Sequence, residues 1–419
     1  MFNFSVTTHR QVLNKVNSIS LAALLAFSAC SSNAPTKAER AQNEATKRII
    51  DAAASTRLTN LVSYDMGESR DREILSLTPV KVGADYYAAN LKGVVYRFVP
   101  STTVDQAKAS KMPSFLKLAQ ATYSPQWQYN VKKGIIAGVS ANATVATVIT
   151  REAKLLALDV QTGQVKWENQ LTTISYAPTL MTNDLVVCYT IDGLLTAYNS
   201  SDGQLKWKVR VSKEDDLQLR GQASPVLYDS DTVLVNATNG RLIAVDLATG
   251  VLKWEHRVSF STKRKDIDRM IDVIGEPLLY HNQLYSVSYQ GKMTAIDLLG
   301  QRQNWQIDAS SLTSMATSLG QLYEVESDGV IRAIDLKTGD VQWTCDIFKG
   351  QLLSNPVVVG GLLVVGSHSG NLYSLSPSDG KFIGRNKVNG SISKLQMTDQ
   401  QLLLISGSGI FSVWQATSK

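Results

Sequence analysis

Ile243-Ala244-Val245-Asp246-Leu247-Ala248-Thr249-Gly250, with Trp254 four positions on, decides the fold of this chain because it recurs. Leu156-Ala157-Leu158-Asp159-Val160-Gln161-Thr162-Gly163 leads to Trp167, and Thr196-Ala197-Tyr198-Asn199-Ser200-Ser201-Asp202-Gly203 leads to Trp207. Arg332-Ala333-Ile334-Asp335-Leu336-Lys337-Thr338-Gly339 leads to Trp343. Thr294-Ala295-Ile296-Asp297 reaches Trp305 through Gly300, and Tyr373-Ser374-Leu375 reaches Asp379-Gly380 with no Trp. From Trp127 onward the Trp spacings are 40, 40, 47, 51 and 38. A period near 40 with strand-like patterning predicts a propeller or another solenoid.

Each unit reads as one antiparallel blade. Apolar strands are expected at 185–189, 233–236, 284–288, 322–325, 362–366 and 402–405. Each is followed by a turn pair: Asp192-Gly193, Asn239-Gly240, Gln290-Gly291, Asp328-Gly329, Ser369-Gly370 or Ser408-Gly409. Such pairs supply the positive φ of tight hairpins. Lys92-Gly93 opens the series, and a second unit puts Glu152-Ala153 where the glycine pair belongs. That makes eight blades, with seven as the alternative. A strand at about 58–64 is expected to complete the last blade and close the ring, removing free sheet edges. The small Ala lets blades approach, and Trp167, Trp207, Trp254, Trp305 and Trp343 fill the gaps between them. The fold expected is therefore all-β: an eight-bladed β-propeller of four-stranded antiparallel blades.

The ends and the insertion complete the domain plan. Arg10 and Lys15 precede a short apolar run, Leu21-Ala22-Ala23-Leu24-Leu25-Ala26-Phe27, as in a cleaved export signal spanning 1–29. Residues 30–58 read as a tether rich in Ala, Ser, Thr and Lys, with one short helix near 45–54. The propeller occupies 59–419, with an insertion at about 99–125 whose centre, 105–118, suits a short helix.

Composition narrows the function. The 419 residues carry a net charge of +6, which falls to +4 once Arg10 and Lys15 leave with the signal. So small a charge, spread along the chain, argues against nucleic acid as a partner. Cys188 and Cys345 read as two separate buried thiols, the alternative being a disulfide. His256, His281 and His368 fit no His-Glu-x-x-His arrangement. Gly366-Ser367-His368-Ser369-Gly370 mimics a nucleophile elbow but has His at its centre and coincides with a hairpin turn. Asp159, Asp246, Asp297 and Asp335 are periodic, as turn-stabilising residues are; a catalytic acid is normally unique. No cluster of Asp, Glu and Asn suggests a Ca²⁺ site. No catalytic residue, metal site or cofactor is expected.

Phe27-Ser28-Ala29-Cys30 resembles the bacterial lipobox, with Phe27 where Leu, Val or Ile is usual, and makes Cys30 the candidate lipidated N-terminus. Ser31 and Ser32 follow it, where an Asp would imply inner-membrane retention, so the resemblance implies outer-membrane sorting. The Ala-x-Asp-x-x-Thr-Gly-x-x-x-Trp signature resembles the PQQ-like repeat. Together with the lipobox and eight units, the chain resembles the BamB family, lipoprotein subunits of the outer-membrane β-barrel assembly machinery. The resemblance covers the chain from about Thr59 onward, plus the lipidation signal. It implies a non-enzymatic scaffold on the periplasmic face of the outer membrane that supports assembly and insertion of outer-membrane proteins. The partners it implies are BamA and, through it, the other Bam subunits, with unfolded outer-membrane proteins as candidate clients.

Two loops carry the site that the resemblance implies. Leu217-Gln218-Leu219-Arg220-Gly221, followed by Ser224-Pro225, resembles the family's Leu-x-Leu-Arg-Gly loop that contacts BamA. Ile267-Asp268-Arg269-Met270-Ile271-Asp272-Val273 resembles the next blade's Ile-Asp-Arg-x-x-Asp-Val segment; Ile274 stands where the family often has a further Asp. Leu217, Leu219 and Arg220 are the candidate anchors, with Asp268, Arg269 and Asp272 beside them. A Leu pair next to an Arg is chemically an anchor-and-charge hot spot, and neighbouring acids orient such an Arg or meet a basic partner. The alternative is an inter-blade connection with the Leu side chains packed inward. Lys263-Arg264-Lys265 reads as a solvated loop, the alternative being a contact with anionic lipid. Two other functions share the repeat: a PQQ- and Ca-dependent quinoprotein dehydrogenase, and a lipoprotein-anchored binding propeller with another periplasmic partner.

Overall fold

The computed structural model describes residues 58–67, 76–101, 122–212, 222–237, 240–258, 275–289 and 291–416, and also Glu44 and Ile50. The chain divides into two compact units, Met1–Ala53 and Ala54–Lys419. Glu44 and Ile50, in the first, are helical. The second holds the repeat.

Each repeat unit becomes one antiparallel sheet, and eight sheets form an eight-bladed propeller. Blades 1 to 7 span 80–130, 135–170, 180–210, 226–257, 278–309, 316–345 and 357–387. Blade 8 combines three strands from 396–416 with Leu58–Asp65. Blade 3 shows the logic. Its strands Leu180–Met181, Leu185–Tyr189, Leu194–Asn199 and Leu205–Arg210 pair in chain order. The second and third are buried on both faces because a neighbouring blade covers each face, hence their unbroken apolar runs. The fourth faces water on its outer side and alternates, with Trp207 buried between exposed Lys206 and Lys208.

The seams between blades explain the repeat signature. Ala157, Ala197, Ala244, Ala295 and Ala333 pair directly with Trp167, Trp207, Trp254, Trp305 and Trp343 on the adjoining strand. A methyl group leaves room for the indole beside it. The indole then reaches the next blade. Trp127, Trp167, Trp207, Trp305 and Trp343 donate their Nε1–H to the carbonyls of Val160, Ser200, Leu247, Leu336 and Pro377, at 2.8–3.1 Å. The rings lie flat against the turn glycines: a Cβ on Gly163, Gly203, Gly250, Gly339 or Gly380 would fall 2.5–2.8 Å from them. All five glycines have φ between 68° and 80°, so the turn conformation and the close approach both demand glycine.

Trp254 departs from this pattern. Gly300 does not take the left-handed position of the facing turn; Gln301, one residue later, does, with φ of 47°. Among the described residues Trp254 makes no such bond, and it stays half-buried. In blade 7, Gly384 takes the Trp position opposite Ser374. Blade 2 also departs: Ala153 adopts φ of 56° where other blades use glycine.

The periodic acids cap the turns. Asp335 Oδ1 accepts from the amides of Lys337 and Thr338 at 2.8 and 2.9 Å and from the Thr338 hydroxyl at 3.3 Å. Asp159 and Asp246 do the same for Thr162 and Thr249. These amide bonds hold the Asp335 and Asp159 carboxyls below the usual range.

Leu58–Asp65 closes the ring by pairing with Ile410–Ala416, from Leu58 opposite Ala416 to Asp65 opposite Ile410. The seam to blade 1 is aromatic: Phe98 stacks on Phe411 at 5.0 Å, and the Tyr86 hydroxyl donates to Gln401 Oε1 at 2.6 Å. One sheet exceeds the expected four strands. Ser76–Leu77 adds in parallel to the inner edge of blade 2, opposite Ala137 and Gly138. The outer hairpin of blade 1 stays paired as far as Ser101 and Thr122, and the centre of the insertion lies outside the described residues. Cys188 and Cys345 are buried, unpaired thiols, and burial pushes the Cys188 thiol up to about 12. Gly366-Ser367-His368-Ser369-Gly370 contains a tight hairpin turn, with the Gly370 amide donating to the Ser367 carbonyl at 3.0 Å.

Candidate functional site

Leu217, Leu219, Arg220, Asp268, Arg269 and Asp272 lie outside the described residues, as do Cys30 and Lys263-Arg264-Lys265. Their stems are described. The first stretch, 213–221, connects blade 3 to blade 4, and the second, 259–274, connects blade 4 to blade 5. In an up-and-down blade every such connection leaves from the same face, so both stretches are rooted on one face, on either side of blade 4.

Four anchors fix these roots. Before the first stretch, the Val211 amide donates to the Gly193 carbonyl at 2.8 Å, and the Tyr189 and Ser212 hydroxyls lie 3.1 Å apart. After it, Gln222 Oε1 accepts from Ser175 Oγ at 3.3 Å and from the Tyr176 amide at 3.2 Å. Before the second stretch, buried Val258 donates to the Gly240 carbonyl at 2.8 Å and accepts from Thr294 Oγ1 at 2.8 Å. After it, the Gly275 carbonyl accepts from Asn236 Nδ2 at 3.0 Å. Among the described residues two buried atoms here have no partner: Gln222 Nε2 and Asn236 Oδ1.

An ion pair joins this region to the far side of the ring. Lys394 Nζ lies 2.9 Å from Glu276 Oε1. Each residue stands two positions before the innermost strand of its blade, Leu278–Tyr280 in blade 5 and Gln396–Thr398 in blade 8. Blades 5 and 8 are not neighbours, so the pair spans the central channel. Lys394 is the main cause of a Glu276 carboxyl held below the usual range, and Ser224 adds a hydrogen bond. The Glu276 amide donates to Ser314 Oγ at 3.1 Å. Reading the chain by motif missed Gln222, Glu276 and Lys394. The available signal was positional: Ser224, Glu276, Ser314, Asn355 and Lys394 all stand two places before an innermost strand, and two of them carry opposite charge.

A fully buried acid sits in blade 6. Glu324 is fully buried and accepts from Arg332 Nε at 2.6 Å, while its Oε2 has no partner among the described residues. Burial pushes its carboxyl up to about 7 despite the arginine. Arg332 also reaches Glu326 at 3.1 Å and the Asp308 carbonyl at 3.2 Å. Among the described residues no three His, Cys, Asp or Glu side chains converge as a metal site requires.

Known proteins resemble the chain in both sequence and fold. The family described as "Outer membrane protein assembly factor BamB" matches residues 116–345 and 327–418. The outer membrane protein assembly factor BamB of Yersinia pestis is 28% identical over 355 residues, covering 84% of this chain and 87% of the relative. The crystal structure of BamB from Moraxella catarrhalis superposes with a TM-score of 0.74 at 28% identity, covering 85% of this chain and 99% of that one. A europium-containing methanol dehydrogenase shares the fold at a TM-score of 0.66 and 14% identity, over 87% of this chain and 86% of its own. A match over most of the repeat region, with relatives aligned along nearly their whole length, fixes the relationship: the chain belongs to the family of the outer membrane protein assembly factor BamB.

Proposed function

We propose that this protein is a non-enzymatic scaffold subunit of the outer-membrane β-barrel assembly machinery, held on the periplasmic face of the outer membrane by a lipid on Cys30. It binds BamA through Leu217, Leu219 and Arg220 on one loop and Asp268, Arg269 and Asp272 on the next. Through BamA it joins the other Bam subunits and supports the assembly and insertion of outer-membrane proteins. Family membership supports the assembly role. The observation that carries the site is the rooting of both loops on one face, on either side of blade 4.

The mechanism is presentation. Blades buried on both faces make a stiff ring, so the roots of both loops are held in place before a partner arrives. An arginine next to a leucine pair then supplies charge-assisted bonds beside an apolar contact, and the acids of the second loop orient it.

A detergent pull-down of the lipidated protein tests this, run beside a Leu217→Ala/Leu219→Ala/Arg220→Ala variant with mass spectrometry of what copurifies. BamA retained by the wild type and lost from a folded variant is the expected result. BamA absent from both overturns the reading.

A further inference from the structure

We infer that Lys394 and Glu276 are positioning residues for the partner surface, forming a strut across the channel that fixes the bases of both candidate loops. The inference rests on the reading of those loops proposed above. Three observations carry it.

The strut ends at the loop bases. Glu276 follows the 259–274 stretch by two positions, and Ser224, whose hydroxyl helps hold the Glu276 carboxyl low, follows the 213–221 stretch by three. Pro277 and Pro225 come directly after them. Proline fixes its own φ and pushes the residue before it toward extended backbone, so a side chain held at 276 also holds the local chain path.

The strut also crosses a gap that packing does not. Neighbouring blades share apolar seams, such as that of Val187, Ala197 and Trp207 against Val233 and Val245. Blades 5 and 8 share none, being three apart in the ring. Lys394 therefore ties the loop bases to a part of the scaffold on which they do not otherwise rest. Its own blade is anchored firmly: the next residue, Leu395, exchanges two bonds with Asn355, each 2.9 Å.

Finally, position rather than stability is the natural output of such a pair. Partly exposed ion pairs add little to stability, and Lys394 and Glu276 keep 23% and 34% of their side-chain surface exposed. A lysine held at 2.9 Å across a channel nevertheless restricts where the 276 backbone sits.

Amide hydrogen exchange on the free full-length protein, together with binding to purified BamA, tests the strut. Lys394→Met is expected to speed exchange at 222–224 and 275–276. It should weaken binding ~10-fold, as expected when loop ordering must be completed on binding, while the melting temperature scarcely moves. Lys394→Arg should restore both readouts. Unchanged exchange and binding in Lys394→Met overturn the inference. If Lys394→Met does not fold, the reversed pair Glu276→Lys/Lys394→Glu decides: protected amides at 222–224 and 275–276 support the strut, and fast exchange there in a folded reversal overturns it. A wild type that fails to bind BamA overturns the partner reading instead, and the exchange data still judge the strut.

Discussion

The indole of Trp207 lies against Gly250 of the next blade so closely that a Cβ at 250 would fall 2.7 Å from its ring. Gly250 also has φ of 74°. Gly250→Ala therefore meets two penalties, a left-handed backbone and an overpacked seam. A loss of about 2–4 kcal/mol is expected. Gly83 offers the control: its φ is 61°, but nothing lies within 4 Å of a Cβ there. Gly83→Ala is expected to cost only the backbone share, about 1 kcal/mol. Urea unfolding of the two variants separates the terms, and equal losses would show that the Trp seat does not matter.

Gln301 occupies the seat that glycine fills for the other docked tryptophans. Gln301→Gly should relieve the left-handed strain and let Trp254 settle onto the turn. A gain of about 1 kcal/mol and a blue shift of tryptophan emission are expected. A gain without the shift would mean that only the backbone relaxed.

Glu324 makes stability depend on pH near neutrality. Its folded carboxyl sits at about 7, above the ordinary 4.5, so the fold holds this proton more tightly than the unfolded chain does. The contribution is complete below the ordinary value and is lost as pH rises toward about 7. Glu324→Gln keeps an acceptor for Arg332 and cannot ionise. Melting temperatures followed from about pH 5 to 8 should fall less steeply in the variant than in the wild type. Identical slopes would place the titration elsewhere.

Asp335 acts at the other end of the scale and with the opposite sign. The Thr338 amide lowers its folded value, so its stabilisation is present above the ordinary carboxylate range and disappears as pH falls through the lowered value. Asp335→Ala should melt earlier than the wild type near neutrality, and the gap should close as pH falls below the ordinary carboxylate range. A gap that persists in acid would assign the loss to packing rather than to the capped turn.

These residues also mark how far the chain can be read without coordinates. The blade count, the strand at 58–64 and the Trp seams are legible because they repeat, and a seam needs the same residues wherever it occurs. Ala153 and Gln301 mark one limit. Each takes a positive φ that its own side chain disfavours, so local propensity points elsewhere. Ser76–Leu77 marks another, since a two-residue parallel strand carries no pattern of its own. Of the site, the two loops could be named from their resemblance to a family. The Glu276–Lys394 pair could not, because 118 positions separate its members and only closure of the ring brings them together.

That closure also sets the order of events in folding. Among the described residues the outermost strand of blade 8, Leu58–Asp65, is the first strand made, and its partner, Ile410–Ala416, is the last. Blades 1 to 7 can each form from nearby residues, but the circle cannot lock until synthesis has reached its final strand. Contacts between such distant parts of a chain form slowly. Until then the first strand waits with its hydrogen-bonding edge uncovered, which makes the interval before locking the period when this protein most needs protection from aggregation.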